Sequence, residues 1–368
     1  MSGATSKPRP NRPIADTAEL AGRMHAVLEQ ANKLQPVRVG ATPRECVYRE
    51  GSLSLYRYGK RPETGRPPVV IVYSLVNRPY ILDLNERRSF IRALVDSGRA
   101  VYLVDWGYPE PADRFLGLED YVNGLLRRSV RHVRSVENRA DVDLLGVCQG
   151  GTLALCYASL HPSEIGRLIT LVTPVDFHSR RDVLHHLTAG IDVDTAVDTL
   201  GNLSSELLNT FFVSLKPYRL LSQRYVAMAS LADNTSALTE FLQMERWMYD
   251  SPDQAGEAFR EFAKYFYQNN GLVRGNLDFG CGEIDLNRIR SPILNVYATE
   301  DHLVPSAAAT ALSKFVDRSL YNSIAFEGGH LGVFVSGKAQ RTLYPRITEW
   351  LDNPSRQRAC RRSSKTGD

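Results

Sequence analysis

No apolar run in these 368 residues is long enough to span a bilayer, so no helical membrane span is expected. The opening stretch, residues 1–16, is polar and Pro-rich and lacks the apolar core of a signal peptide. The cytoplasm is therefore the expected compartment. Cysteine is scarce. Cys46, Cys148, Cys156, Cys281 and Cys360 are scattered, odd in number and without metal-ligand spacing, so they read as reduced thiols and no metal site is expected. A strong charge of either sign is also lacking. The net charge of +4 fits an anionic substrate and does not argue for nucleic acid. No internal repeat is present. The remaining composition, 43% hydrophobic and 23% charged, is that of a soluble globular protein, long enough for one large domain or two ordinary ones.

What the chain does contain is organised around Val142-Asp-Leu-Leu-Gly-Val-Cys-Gln-Gly-Gly151. An apolar, strand-like segment ends at Val147, and a helix-like segment starts at Thr152. Between them stands Gly-x-Cys-x-Gly, the nucleophile elbow of an α/β-hydrolase with Cys148 where serine usually stands. Such an elbow needs a strained turn, and side chains at Gly146 and Gly150 would clash across it. The helix N-terminus points at Cys148 and favours its thiolate. A buried structural cysteine beside an ordinary Gly-rich turn is the bland alternative, and the flanking strand and helix argue against it.

The rest of the chain supplies a frame for that turn. Residues 1–16 read as a disordered lead. Thr17 to Leu34 has helical periodicity, with Leu20, Met24, Val27 and Leu28 on one face. Arg49 to Tyr58 alternates like an early antiparallel strand. Buried strands are expected at Pro68–Tyr73, Ala100–Val104, Leu168–Val172 and Ile293–Tyr297, with a short one at Ser323–Phe326. Asn85 is placed to cap a helix that Gly98 ends. The arginines of Asp120 to Val136 read as a solvated helix face, since no aromatic residues interleave them. The alternation of strands and helices predicts an α/β-hydrolase fold, a mostly parallel sheet flanked by helices.

From about 176 to 290 helical, aromatic-rich segments dominate, at Leu207–Leu215, Tyr225–Leu231, Phe241–Met248 and Gly256–Tyr267. This stretch reads as a mainly helical cap inserted into the core. His185 and His186 make a poor metal pair, because adjacent residues on a helix do not face one another. The expected division is 1–16 lead, 17–175 first part of the core, 176–290 cap, 291–353 second part of the core and 354–368 disordered basic tail.

Two late strand ends offer partners for Cys148. Asp301 follows one strand, in Thr299-Glu-Asp-His-Leu-Val-Pro305. His330 sits in a Gly-flanked loop, Glu327-Gly-Gly-His-Leu-Gly332. The order nucleophile, acid, histidine is that of the hydrolases. His330 would take the thiol proton and Asp301 would hold its tautomer. Glu300 or His302 could replace Asp301, since a one-residue slip is easy. The oxyanion donors are expected to be the backbone N–H of Gln149 and one from the Ser74–Asn77 loop, taken as Val76. A thiol nucleophile suits thioester substrates, because acyl transfer between thiols is nearly isoenergetic. Attack on that intermediate by water would make a hydrolase, and attack by an alcohol in a water-excluding site would make a transferase.

The motifs Tyr73-Ser-Leu-Val-Asn-Arg-Pro-Tyr80, Val104-Asp-Trp-Gly-Tyr108, Gly146-Val-Cys-Gln-Gly-Gly151, Leu171-Val-Thr-Pro-Val-Asp-Phe177, Ser251-Pro-Asp-Gln-Ala-Gly256, Asp301-His-Leu-Val-Pro305 and Gly328-Gly-His-Leu-Gly332 span about residues 45 to 352. In these the chain resembles the catalytic subunits of polyhydroxyalkanoate synthases, most closely the short class III type. The resemblance implies an acyltransferase that polymerises (R)-3-hydroxyacyl-CoA, chiefly 3-hydroxybutyryl-CoA, and releases CoA. It implies Cys148 as acyl carrier, His330 as base and Asp301 as the third member. It implies a non-catalytic partner subunit, an oligomer of like or unlike chains, and residence on polyester granules. It implies no cofactor, coenzyme A being part of the substrate. The alternative is a cysteine-elbow hydrolase of a thioester, lactone or polyester. An inactive binding scaffold is a third reading, which a complete triad opposes.

Overall fold

A computed structural model of the chain describes residues 17–34, 36–59, 65–215, 223–280 and 282–353. The expected lead and basic tail, with Cys281 and Cys360, lie outside the described residues. By their internal contacts the described residues fall into two units, one drawn from 1–38 and 209–249, the other from 39–208 and 250–368. The expected cap of 176–290 is thus divided between them.

The larger unit is built on an eight-stranded sheet. Its strands are β1 (Arg44–Glu50), β2 (Leu53–Tyr58), β3 (Val69–Val72), β4 (Val101–Asp105), β5 (Val142–Val147), β6 (Ile165–Leu171), β7 (Ile293–Ala298) and β8 (Tyr321–Phe326). They lie in the order β1-β2-β4-β3-β5-β6-β7-β8. The first two pair antiparallel, β2 is antiparallel to β4, and every later pairing is parallel. The sequence explains this. Strands β3, β4 and β5 are buried along their whole length. They are the near-continuous apolar runs of a sheet covered on both faces. The edge strand β8 instead mixes exposed and buried positions. Register sets Val72 beside Gly146, Val147 beside Leu171, and Ala298 beside Phe326. The C-terminal ends of β3, β5, β7 and β8 therefore open onto one edge of the sheet.

Three local expectations need correction. The single strand expected at Arg49–Tyr58 is a hairpin, because Gly51 takes φ +54° and turns the chain back between β1 and β2. The helix Phe90–Asp96 is capped by Ser89, whose Oγ accepts from the Arg92 N–H at 2.8 Å. Asn85 lies instead in a short ribbon with Arg88. On the Thr17–Lys33 helix Val27 is buried, but Leu28 is 53% exposed. The arginine-bearing helix Arg127–Val136 carries ion pairs, Arg128 with Glu50 and Arg134 with Glu164.

The smaller unit packs Val27, Met228 and Leu238 with Met24, Leu34 and Phe241. Its helices Arg224–Ala229 and Thr235–Tyr249 meet the expected segments. Arg246 donates to the Val37 carbonyl at 2.6 Å, and Gln243 to that of Arg38 at 2.8 Å, which ties the two stretches of this unit together. In the larger unit Phe177, Phe262 and Phe266 form an aromatic cluster in the main core. No described helix is long and apolar enough to cross a membrane.

Candidate active site

Cys148 sits between β5 and the helix Gln149–Leu160 at φ +52°, ψ −123°. A non-glycine residue rarely accepts such a conformation, and the surroundings must hold it there. The Cys148 N–H donates to the Leu171 carbonyl of the neighbouring strand, and the Cys148 carbonyl accepts from Gly151, both at 2.9 Å. Close approach explains the glycines. A Cβ on Gly150 would lie 2.4 Å from the carbonyl oxygens of Val72 and Tyr73, and one on Gly146 would lie 2.4 Å from the Gly151 Cα. The half-buried Cys148 side chain packs against an apolar group that includes Leu303, Val304, Ala308 and Ala309.

The strand ends of β7 and β8 bring the other two expected residues together. Asp301 Oδ2 lies 2.7 Å from His330 Nδ1, with both side chains buried. Asp301 Oδ1 accepts from the Leu303 and Val304 N–H groups, each at 2.9 Å. The carboxylate is therefore held by the turn that follows it. Glu300 is exposed and His302 half-buried, so Asp301 is the residue of this run that meets the histidine. Burial alone pushes the His330 imidazole down. The Asp301 charge, the Cys148 charge and hydrogen bonds to both outweigh that effect, and the pKa is pushed up to about 10. His330 is thus hydrogen-bonded to Asp301 and near enough to Cys148 to feel a charge on its sulfur. With Nδ1 turned to Asp301, Nε2 is left for the cysteine. Cys156, in contrast, is fully buried on the elbow helix.

The loop after β3 is tied to the elbow through Gln149. Gln149 opens its helix, where backbone N–H groups have no partner within the helix. The Val76 N–H already donates to Ser74 Oγ at 3.0 Å. The Leu75 N–H donates to Gln149 Oε1 at 3.0 Å, and the Ser74 hydroxyl donates to the same oxygen at 3.1 Å. Asn77, at φ +59°, donates its N–H to Ser251 Oγ at 3.2 Å. Other ties hold this loop to its surroundings. Arg78 pairs with Asp105 at 2.8 Å, and Trp106 Nε1 donates to the Tyr73 carbonyl at 2.8 Å. The hydroxyls of Tyr80 and Tyr108 both donate to Asp250. Motifs noted in the sequence without individual roles thus form one network at the ends of β3 and β4. The Gln149 side chain and Ser251 were missed, since nothing in the sequence marks a glutamine or serine as a loop anchor.

His178 and His185 stack with ring centroids 4.0 Å apart, and both approach the Tyr267 carbonyl. Among the described residues no group of three or more His, Cys, Asp or Glu side chains is placed to hold a metal.

Residues 67–336 match the family model of the alpha/beta hydrolase fold. The chain is 45% identical over 347 residues to the poly(3-hydroxyalkanoate) polymerase subunit PhaC of Allochromatium vinosum, covering 94% of this chain and 98% of that protein. It is 44% identical to the protein of the same name from Thiocystis violacea, with the same coverage. Among solved structures, the monoacylglycerol lipase of Paleococcus ferrophilus superposes with a TM-score of 0.50 at 16% identity, covering 81% of this chain and 98% of that one. That last likeness bears on the fold.

Proposed function

The chain belongs to the alpha/beta hydrolase fold family and, within it, to the poly(3-hydroxyalkanoate) polymerase subunits, and from that membership we propose that it polymerises 3-hydroxyacyl units from coenzyme A thioesters through an acyl group carried on Cys148. The observation that carries the reading is the 2.7 Å bond of His330 to Asp301, with a pKa pushed up to about 10 by the Asp301 and Cys148 charges. His330 takes the Cys148 thiol proton at Nε2, and the imidazolium formed is favoured by the Asp301 carboxylate and by the charge left on the sulfur. The thiolate sulfur attacks the thioester carbonyl, and a C–S bond forms to Cys148. The tetrahedral intermediate collapses with cleavage of the C–S bond to coenzyme A. The departing CoA thiolate takes the proton from His330 Nε2.

Acylation also changes the base. Two of the causes that raise the His330 pKa, the charge and the hydrogen bond of Cys148, are lost once the sulfur carries an acyl group. Having given its proton to the departing CoA thiolate, the imidazole is neutral and can take the proton of a 3-hydroxyl group. That oxygen attacks the acyl carbon, an ester bond forms, and the Cys148 thiolate leaves and recovers its imidazolium partner. The apolar group around Cys148 supports exclusion of water, so that the alcohol is the acceptor. Coenzyme A enters as part of the substrate, and these steps require no cofactor. The same membership supports a non-catalytic partner subunit and residence at polyester granules in the cytoplasm.

One assay tests the activity. The protein is incubated with 3-hydroxybutyryl-CoA while free CoA and polymer are followed together. CoA release matched by polymer is expected. CoA release with free 3-hydroxybutyrate would instead make the protein a thioester hydrolase.

A further inference from the structure

The N–H groups of Leu75, Val76 and Asn77 all donate to side-chain oxygens, those of Gln149, Ser74 and Ser251. Two of the three ties lead to one atom. Gln149 Oε1 accepts from the Leu75 N–H and the Ser74 hydroxyl, and Ser74 Oγ in turn accepts from the Val76 N–H. A carbonyl oxygen has two lone pairs, and both are occupied here. Gln149 is also the first residue of the elbow helix, where a backbone N–H has no acceptor within the helix.

We infer that the Gln149 side chain is the positioning residue of the oxyanion site, a strut that sets the β3 loop against the elbow. The inference rests on the Cys148 chemistry proposed above. Both donors of the hole then depend on a single residue. Its backbone supplies one donor directly. Its side chain fixes the loop that supplies the other, so the separation of the two is set within the reach of one glutamine. The chain Val76 N–H to Ser74 Oγ to Gln149 Oε1 has a second use. It keeps the Val76 donor satisfied while the site is empty, which a partly buried N–H requires. When an oxyanion forms, Val76 exchanges the serine oxygen for the charged one. Ser74 stays in place through its bond to Gln149, so the exchange needs no movement of the loop.

The test compares two reactions of the same thiol. Transfer of a labelled 3-hydroxybutyryl group to Cys148 passes through an oxyanion, whereas alkylation of Cys148 by iodoacetamide does not. Gln149→Met keeps the length and removes the acceptor. Loss of an oxyanion donor slows catalysis about 10²–10³-fold, and a displaced donor is expected to slow single-turnover acyl transfer about 10- to 100-fold. The half-saturating substrate concentration and the alkylation rate should stay near those of the wild type. Ser74→Ala, which leaves the Leu75 N–H on Gln149, should slow transfer less than Gln149→Met does. Wild-type acyl transfer in Gln149→Met would overturn the inference, and so would an equal fall in alkylation. Absence of label on Cys148 in the wild type would remove the reading beneath it, and this inference as well.

Discussion

Two walls meet at the Cys148 elbow, the acid–histidine pair and the loop after β3, and they are held by different means. On the acid–histidine wall the atoms proposed to do the chemistry belong to side chains. Asp301 and His330 are buried, and their 2.7 Å bond is backed by two N–H groups of the turn after β7. On the proposed oxyanion wall the donors belong to the backbone, and borrowed side chains hold them in place, with Gln149 and Ser251 gripping the loop after β3. The first wall is specified by which residues are present. The second is specified by where an N–H points, which any residue can supply. Substitution should therefore break the first wall sharply and the second by degrees.

The largest effect is expected where the walls meet. Cys148→Ala should abolish polymer formation and leave the fold intact, since the elbow is held by backbone hydrogen bonds and close-packed glycines. Cys156→Ala is the control and should retain activity, because Cys156 is a buried packing residue. Polymer assay beside circular dichroism of both variants decides the matter. Substantial polymer from Cys148→Ala would remove the mechanism.

Asp301→Asn should come next, and it separates two steps. A thiol needs less help than a hydroxyl, since part of it is already thiolate near neutral pH. The 3-hydroxyl group must lose its proton as it attacks. Loading of Cys148 should therefore persist, while elongation falls by a factor on the order of 10⁴, as in the serine-protease analogue. His302→Gln should be much milder. A single-turnover experiment that scores protein-bound label against polymer makes the distinction. Equal collapse of both steps would reduce Asp301 to an orienting residue.

A smaller effect should appear in stability. The folded pKa of His330, about 10, lies above the unfolded value of about 6.5. The folded state binds the proton more tightly, so this contribution is complete below about pH 6.5 and is lost as pH rises through about 10. Denaturant midpoints of the wild type should fall between neutral pH and pH 10 more steeply than those of His330→Gln. Parallel curves would mean that the histidine is not held as an imidazolium.

The same contrast governs what could be read without coordinates. The strained turn at Cys148 and the meeting of Asp301 with His330 were legible because these residue types stand in order at the strand ends. The sheet was legible because β3, β4 and β5 are short, mostly apolar runs. The hairpin at Gly51 was not, since alternation looks alike in one strand or two. Nor was the cap by Ser89, because Asn85 is an equally good capping residue by type. The pairing of 17–38 with 209–249 depends on contacts between segments far apart in the chain, which local periodicity does not encode. The engaged Val76 N–H and its tie to Gln149 are likewise set by the path of the backbone.

That Cys148 carries the growing chain is tested most directly by locating the acyl group. Wild-type protein is mixed with a limiting amount of labelled 3-hydroxybutyryl-CoA, quenched in acid and mapped by peptide mass spectrometry. Label is expected on the peptide bearing Cys148, and excess unlabelled substrate should chase it into polymer. Label on any other residue, or polymer that grows while Cys148 stays unmodified, would contradict the mechanism.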